Sequence, residues 1–192
     1  MARTGIFMQI TAVDSEHNLF HVQDVFSSDL VDQVLTTPWL DIAWQEHIPG
    51  QLRPRRKIQN SALPWIKKWD TACEKLWPTL ETILHTKLQD YQGTAWWLDE
   101  QDYINELHTD GNLPGAMQLF WVGALPTLGT AFYHYKNPDC VRHQFIMMPN
   151  SGYIMFNPED ASGFKKLLWH GMLIPVPQDT FRLTSYTWII PQ

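Results

Sequence analysis

The sequence predicts an α+β protein with a mainly β core, a double-sheet jelly roll with N-terminal helices packed on one sheet. Short β-rich runs separated by turn residues fill the chain from Ala95 onward, while helical periodicity is confined to the first half. A chain of 192 residues, 44% apolar and 18% charged, suits one buried core rather than two. The change in pattern falls near Gln92-Gly93. Residues 1–92 are therefore read as a helical and mixed support region, and residues 93–192 as the β core of a single domain.

Asp24 to Leu35 offers Ser27 or Ser28 as an N-cap, then Leu30, Val31, Val34 and Leu35 at helical spacing. The cluster Arg53-Pro54-Arg55-Arg56-Lys57 reads as a solvated loop, with contact to an acidic partner as the alternative. Pro64 suits a first helical turn, and Trp65, Ile66, Trp69, Ala72, Cys73, Leu76 and Trp77 recur on one helical face. Pro78 is expected to end or kink this helix, and Leu80, Ile83, Leu84 and Leu88 to form another beyond it. The strands are read at Ala95–Leu98, Tyr103–Leu107, Ala116–Val122, Thr130–Tyr135, His143–Met148, Tyr153–Phe156, Lys166–Leu173 and Phe181–Ile190.

Composition narrows the function. A net charge of −6 repels phosphate backbones, so nucleic acid is an unfavoured partner. Cys73 and Cys140 stand far apart with no neighbouring thiol, which fits a reducing compartment and no Cys-rich zinc module. Gln9 and Thr11 interrupt the apolar N-terminal stretch, and every apolar run is too short to span a bilayer. The expectation is a cytoplasmic protein with no membrane partner.

The chemistry concentrates at Glu106-Leu107-His108-Thr109-Asp110. Side chains at i and i+2 of a strand share a face, so His108 and Asp110 can hold one metal ion. A second imidazole would complete two histidines and one carboxylate, leaving three positions open on a non-haem Fe(II). Two of these suit a bidentate 2-oxo acid and one suits dioxygen. His134 and His143 also lie in strand-like runs. His170 is preferred because a strand carrying Arg182-x-Thr184 follows it. A co-substrate with a second carboxylate needs a fixed cation, and the planar guanidinium of Arg182 is suited to that. Alternation puts Arg182, Thr184, Tyr186 and Trp188 on one face, where the Thr184 hydroxyl could bond the same carboxylate. The tryptophans are read as core packing, and His17, His21, His47 and His85 as solvated.

From Trp96 to Trp188 the sequence resembles the Fe(II)- and 2-oxoglutarate-dependent dioxygenases, and among them the prolyl-hydroxylase-like branch. The likeness lies in His108-x-Asp110, the apolar strand Met117–Val122 and the turn Leu128-Gly129-Thr130-Ala131-Phe132. It continues in Pro149-Asn150-Ser151-Gly152-Tyr153-Ile154-Met155-Phe156, then His170, then Arg182-x-Thr184. The resemblance implies a double-stranded β-helix, with His108, Asp110 and His170 as iron ligands and catalytic centre and Arg182 as the 2-oxoglutarate anchor. Thr184 and Trp121 would support that anchor. Trp121 stands where many members place a co-substrate tyrosine, and Leu98 stands where a further tyrosine would precede His108. Also implied are dioxygen as co-substrate, ascorbate as a candidate accessory, and hydroxylation rather than halogenation, since Asp110 is present. A peptide or protein residue ranks slightly ahead of a small molecule as substrate. The alternative is a non-catalytic, cupin-like metal-binding or sensor module.

Overall fold

The computed structural model describes residues 8–15, 18–42, 44–46, 55–110, 113–134, 136–157 and 168–192. Strands β1 (Gln9–Asp14) and β2 (Leu19–Gln23) precede helix α1 (Ser28–Thr36). Strands β3 (Trp44–Glu46) and β4 (Arg55–Ile58) follow, then helix α2 (Ile66–Leu84). The rest is β: β5 (Thr94–Glu100), β6 (Gly115–Gly123), β7 (Thr130–Tyr133), β8 (Val141–Phe145), β9 (Ser151–Phe156), β10 (Trp169–Gly171) and β11 (Phe181–Trp188). Eight strands form a major sheet in the order β1-β2-β9-β6-β11-β5-β4-β3, and β10-β7-β8 form a minor sheet. All pairings between these strands are antiparallel.

Alternation along the major sheet sorts its side chains between two interiors. On one face Trp96, Leu98, Met117, Leu119, Trp121, Ile154 and Leu183 meet Leu30 and Val34 of α1 and Trp69, Cys73, Leu76 and Leu80 of α2. The other face looks toward the minor sheet, where Phe120, Tyr153 and Met155 pack against Phe132, Phe145 and Leu168. The helices thus cover the outer face of the major sheet, and a second apolar cluster fills part of the space between the sheets. Gly152 permits the close approach of β9 to β6, since a Cβ there would lie 1.9 Å from the Gln118 carbonyl oxygen. Gly129 does the same for the turn ahead of β7, where a Cβ would lie 1.8 Å from the Phe145 carbonyl oxygen.

Several expectations need correction. Helix α2 runs through Pro78 without ending. The missing donor costs one helical bond, of order 3 kcal/mol, but Leu76, Trp77 and Leu80 on either side of it remain buried in one core. Burying such side chains is worth about 1.5–3 kcal/mol each, which outweighs the break. The helix ends at His85, in a left-handed conformation (φ 51°). In the first half, β1, β2 and β4 join the same sheet as β5, β6, β9 and β11, where sequence periodicity showed chiefly helices. Arg55, Arg56 and Lys57 belong to β4 rather than to a solvated loop, and Arg53 and Pro54 lie outside the described residues. Tyr103–Leu107 is not a strand, and Lys166–Leu173 narrows to Trp169–Gly171 among the described residues.

No helix of the described residues is long and apolar enough to cross a membrane. The two cysteines differ sharply in exposure. Cys73 is fully buried, and that burial pushes its thiol up to about 12, whereas Cys140 is exposed. Thiol titration of the native protein should therefore count one fast-reacting group per chain, and a second only after denaturation. Two fast thiols in the native state would contradict this packing.

Candidate metal centre

The segment ending in His108 joins the minor sheet through a single antiparallel bridge to His170, closed by two backbone hydrogen bonds of 2.9 Å. Directly opposed residues of an antiparallel pair project their side chains to one side, and the two imidazole centroids lie 4.4 Å apart. Asp110, two residues after His108, follows on the same side. On β7, Phe132 opposes His170 in register and stacks on its ring at 5.3 Å and 25°. Gly171 allows the close packing, because a Cβ there would lie 2.8 Å from the Asn105 carbonyl oxygen.

Hydrogen bonds aim the donors. His108 Nδ1 lies 2.7 Å from the Glu106 carbonyl, and His170 Nδ1 lies 3.0 Å from the Leu168 carbonyl. A carbonyl only accepts, so in the neutral rings the proton sits on Nδ1 and the Nε2 lone pair is free. Both Nε2 atoms face the same oxygen, Asp110 Oδ1, at 3.4 and 3.6 Å. The second oxygen, Oδ2, accepts a 2.8 Å hydrogen bond from the Tyr186 hydroxyl. Ligand atoms of His108, Asp110 and His170 lie within 4.8 Å of one another, the one such grouping among the described residues. Three electron-pair donors converging on one point repel each other unless a cation lies between them. The nitrogen and oxygen donor set fits a divalent transition metal.

Electrostatics prepares His170 and Asp110 for that role. Burial pushes the His170 pKa down, keeping the ring neutral, and the Asp110 charge only partly opposes this. Burial pushes Asp110 up, but a hydrogen bond donated by His108 when that ring is protonated, the facing His170 and the Tyr186 hydroxyl together outweigh it and hold the carboxyl at about 2. For His108, burial lowers the pKa but the Asp110 and Glu106 contacts prevail and raise it. Tyr186 is raised by burial first and by the Asp110 charge next, so it stays a donor. Tyr186→Phe should weaken Mn(II) binding by roughly 10–100-fold, the usual cost of losing an outer-shell partner. Calorimetric titration checks it, and unchanged affinity would deny Tyr186 a part in orienting Asp110.

A row of charge lies on the major sheet, on the face of β11 that carries Tyr186. Arg182 is 1% exposed. Its Nη1 donates to Asp99 Oδ2 at 2.7 Å and its Nε to the Leu128 carbonyl at 2.7 Å. Among the described residues no hydrogen bond occupies its Nη2. Thr184, the next residue on this face, is fully buried, and its Oγ1 has no hydrogen-bond partner. An orphaned hydroxyl beside a guanidinium with an uncommitted nitrogen fits a carboxylate ligand. Arg55 of β4 also reaches Asp99, its Nε lying 2.8 Å from Oδ1.

Trp121 is not at this site. A one-residue change of strand register reverses the face, and it is Phe120 whose ring lies below the Arg182 guanidinium, at 6.0 Å. Trp121 turns to the helix side, packing edge-on against Trp69 and tilted against Trp96, and its Nε1 donates to Ser185 Oγ at 2.9 Å. Sequence reasoning missed Asp99, Arg55 and the contact made by Tyr186. The available signal was Tyr186 on the predicted face of Arg182. His143 lies near Asp14, at 3.7 Å, and His21 packs on Phe145 at 5.5 Å. His17 and His47 lie outside the described residues.

No family profile matches the chain, and no curated protein matches it in sequence. Solved structures do match in shape. A Pseudomonas putida prolyl-4-hydroxylase superposes with TM-score 0.63 at 14% identity, over 92% of this chain and 94% of that one. A Trichoplax adhaerens prolyl hydroxylase, in complex with a hypoxia-inducible-factor peptide fragment, gives 0.62 at 8% identity over 91% and 84%. HygX from Streptomyces hygroscopicus, with nickel and 2-oxoglutarate bound, gives 0.61 at 12% over 94% and 88%. At these identities the likeness establishes the fold, the double-stranded β-helix.

Proposed function

The chain carries the fold of the Fe(II)/2-oxoglutarate oxygenases, in its prolyl-hydroxylase-like form, and from that premise we propose that it is an Fe(II)- and 2-oxoglutarate-dependent dioxygenase that hydroxylates its substrate. The observation that carries the reading is the convergence of His108 Nε2, His170 Nε2 and Asp110 Oδ1 on one point, their ligand atoms within 4.8 Å of one another. Fold likeness alone would not carry it, because one fold hosts many functions.

In this reading His108, Asp110 and His170 hold the iron, and when bound the iron with 2-oxoglutarate supplies the oxidising chemistry, with decarboxylation to succinate. The protein's own work is positioning. Backbone carbonyls of Glu106 and Leu168 fix the two imidazoles. Tyr186 keeps one carboxylate oxygen of Asp110 occupied, which favours a single Asp110 ligand atom and leaves the facing positions for co-substrate and dioxygen. Arg182 and Thr184 receive the far carboxylate of 2-oxoglutarate. Phe120, Phe132, Tyr153 and Leu168 line the space between the sheets and exclude water. A peptide or protein residue is the favoured substrate class, in line with the peptide complex among the structural neighbours.

A non-catalytic metal-binding or sensor module is the second reading, favoured by one observation: Asp99 already engages one arm of Arg182. Conversion of 2-oxoglutarate to succinate, measured without added substrate under Fe(II) and ascorbate, separates the two. The oxygenase reading expects slow, iron-dependent succinate formation that chelation removes. Its absence, together with unchanged iron affinity in His108→Ala, would overturn the reading.

A further inference from the structure

Three neighbouring strands place Arg55, Asp99 and Arg182 in one cross-strand row. Arg55 of β4 is the register partner of Asp99 in β5, and Asp99 is the partner of Arg182 in β11. The carboxylate is fully buried, and each of its oxygens faces one guanidinium, at 2.8 Å for Arg55 and 2.7 Å for Arg182. The adjacent row on the same face is Lys57, Trp97 and Thr184. Arg55 is fixed between two aromatic rings, 4.8 Å from the Trp97 centroid and 4.7 Å from that of Tyr103.

Two guanidinium groups share one carboxylate here, so the row keeps one positive charge, close to the orphaned Thr184 hydroxyl. A divalent metal with Asp110 also leaves one positive charge. Together these match a dicarboxylate dianion, and a buried site favours such a match because uncompensated charge there is costly. Were Arg55 absent, Asp99 and Arg182 would close into a neutral pair, and an incoming carboxylate would compete with Asp99 for the same guanidinium. The two halves of the row also differ in geometry. Arg182 makes an aligned hydrogen bond to Asp99, but Arg55 Nε and Asp99 Oδ1 form an ion pair without one. A small turn of the Asp99 carboxylate toward Arg55 would complete that bond and loosen Asp99's hold on Arg182.

We propose that Arg55 is a positioning residue for the co-substrate: by holding Asp99 as its counter-ion, it leaves Arg182 free to take the remote carboxylate of 2-oxoglutarate. The inference rests on the oxygenase reading and adds to it a second arginine, supplied by the N-terminal part of the chain. It also gives Arg182 a route to the co-substrate despite its hydrogen bond to Asp99.

Calorimetric titration of 2-oxoglutarate into the Mn(II)-loaded protein tests it, with Mn(II) affinity measured separately. Arg55→Met should weaken 2-oxoglutarate binding about tenfold, equivalent to about 1.4 kcal/mol, and leave Mn(II) affinity unchanged. The double variant Arg55→Met/Asp99→Asn should bind 2-oxoglutarate more tightly than Arg55→Met, because the competitor is gone; a merely structural Arg55 would not be rescued this way. Asp99→Asn alone, which keeps Arg55 and guards against a misfolded Arg55→Met, should bind at least as tightly as wild type. Equal binding by Arg55→Met and wild type, no rescue in the double variant, or weaker binding by folded Asp99→Asn would overturn the inference while leaving the oxygenase reading in place. Failure of the wild-type Mn(II) protein to bind 2-oxoglutarate would overturn both.

Discussion

Asp110→Ala should lose tight metal binding and, on the oxygenase reading, iron-dependent turnover of 2-oxoglutarate with it. The variant removes the anionic donor on which both imidazole Nε2 atoms converge, at 3.4 and 3.6 Å, and leaves two neutral nitrogens to hold a dication. The loss should exceed the roughly 10–100-fold that removal of an outer-shell partner costs. Asp110→Ala also strands the Tyr186 hydroxyl, which is mostly buried and donates to Asp110 Oδ2, at a cost of about 1–3 kcal/mol of stability. Asp110→Asn keeps an acceptor for Tyr186 and so separates the two effects. It should fold like the wild type and still bind Mn(II) poorly in calorimetric titration. Tight binding by Asp110→Asn would mean that the carboxylate charge is not part of a metal site.

Trp69→Ala has the largest expected effect on stability. The indole is fully buried, and its centroid lies 4.4 Å from that of Phe26, 4.6 Å from Trp96, 5.4 Å from Trp121 and 6.1 Å from Trp65. Its Nε1 donates to Thr94 Oγ1, which also bonds Thr187 of β11, so one side chain ties α2 to two central strands. Truncation of a buried aromatic costs about 3–5 kcal/mol, a large part of the roughly 5–15 kcal/mol that holds a domain folded. A thermal melt should show a drop of roughly 6–20 °C for a chain of this size. A drop of about 1 °C would contradict the role of this aromatic layer as the joint between helices and sheet.

The site was legible where chemistry follows strand periodicity. His108 and Asp110 are two residues apart on one side, and Arg182, Thr184 and Tyr186 alternate onto the face opposite Leu183, Ser185 and Thr187, as the pattern of β11 predicts. It was not legible where register or long-range pairing decides. Phe120 and Trp121 are both apolar, so nothing in the run Met117–Val122 says which faces the barrel. The pairing of β6 with β11 carries an irregularity between Leu183 and Thr184 that no local pattern announces.

Arg55 reads as a solvated charge because its compensation comes from Asp99, distant in sequence and adjacent only through the β4–β5 pairing. Asp99 falls just past the run Ala95–Leu98, and only the sheet reveals that it is fully buried between two arginines. Pro78 was misleading for the complementary reason: local propensity argues for a break, and the apolar face that continues past it keeps the helix whole.

The most direct measurement is a crystal structure of the protein with Mn(II) and N-oxalylglycine, an unreactive analogue of 2-oxoglutarate. The account predicts one metal ion bound to His108 Nε2, Asp110 Oδ1 and His170 Nε2, chelated by the analogue, whose far carboxylate lies against Arg182 and Thr184. Metal bound elsewhere, or these three side chains turned away from a common ion, would contradict it.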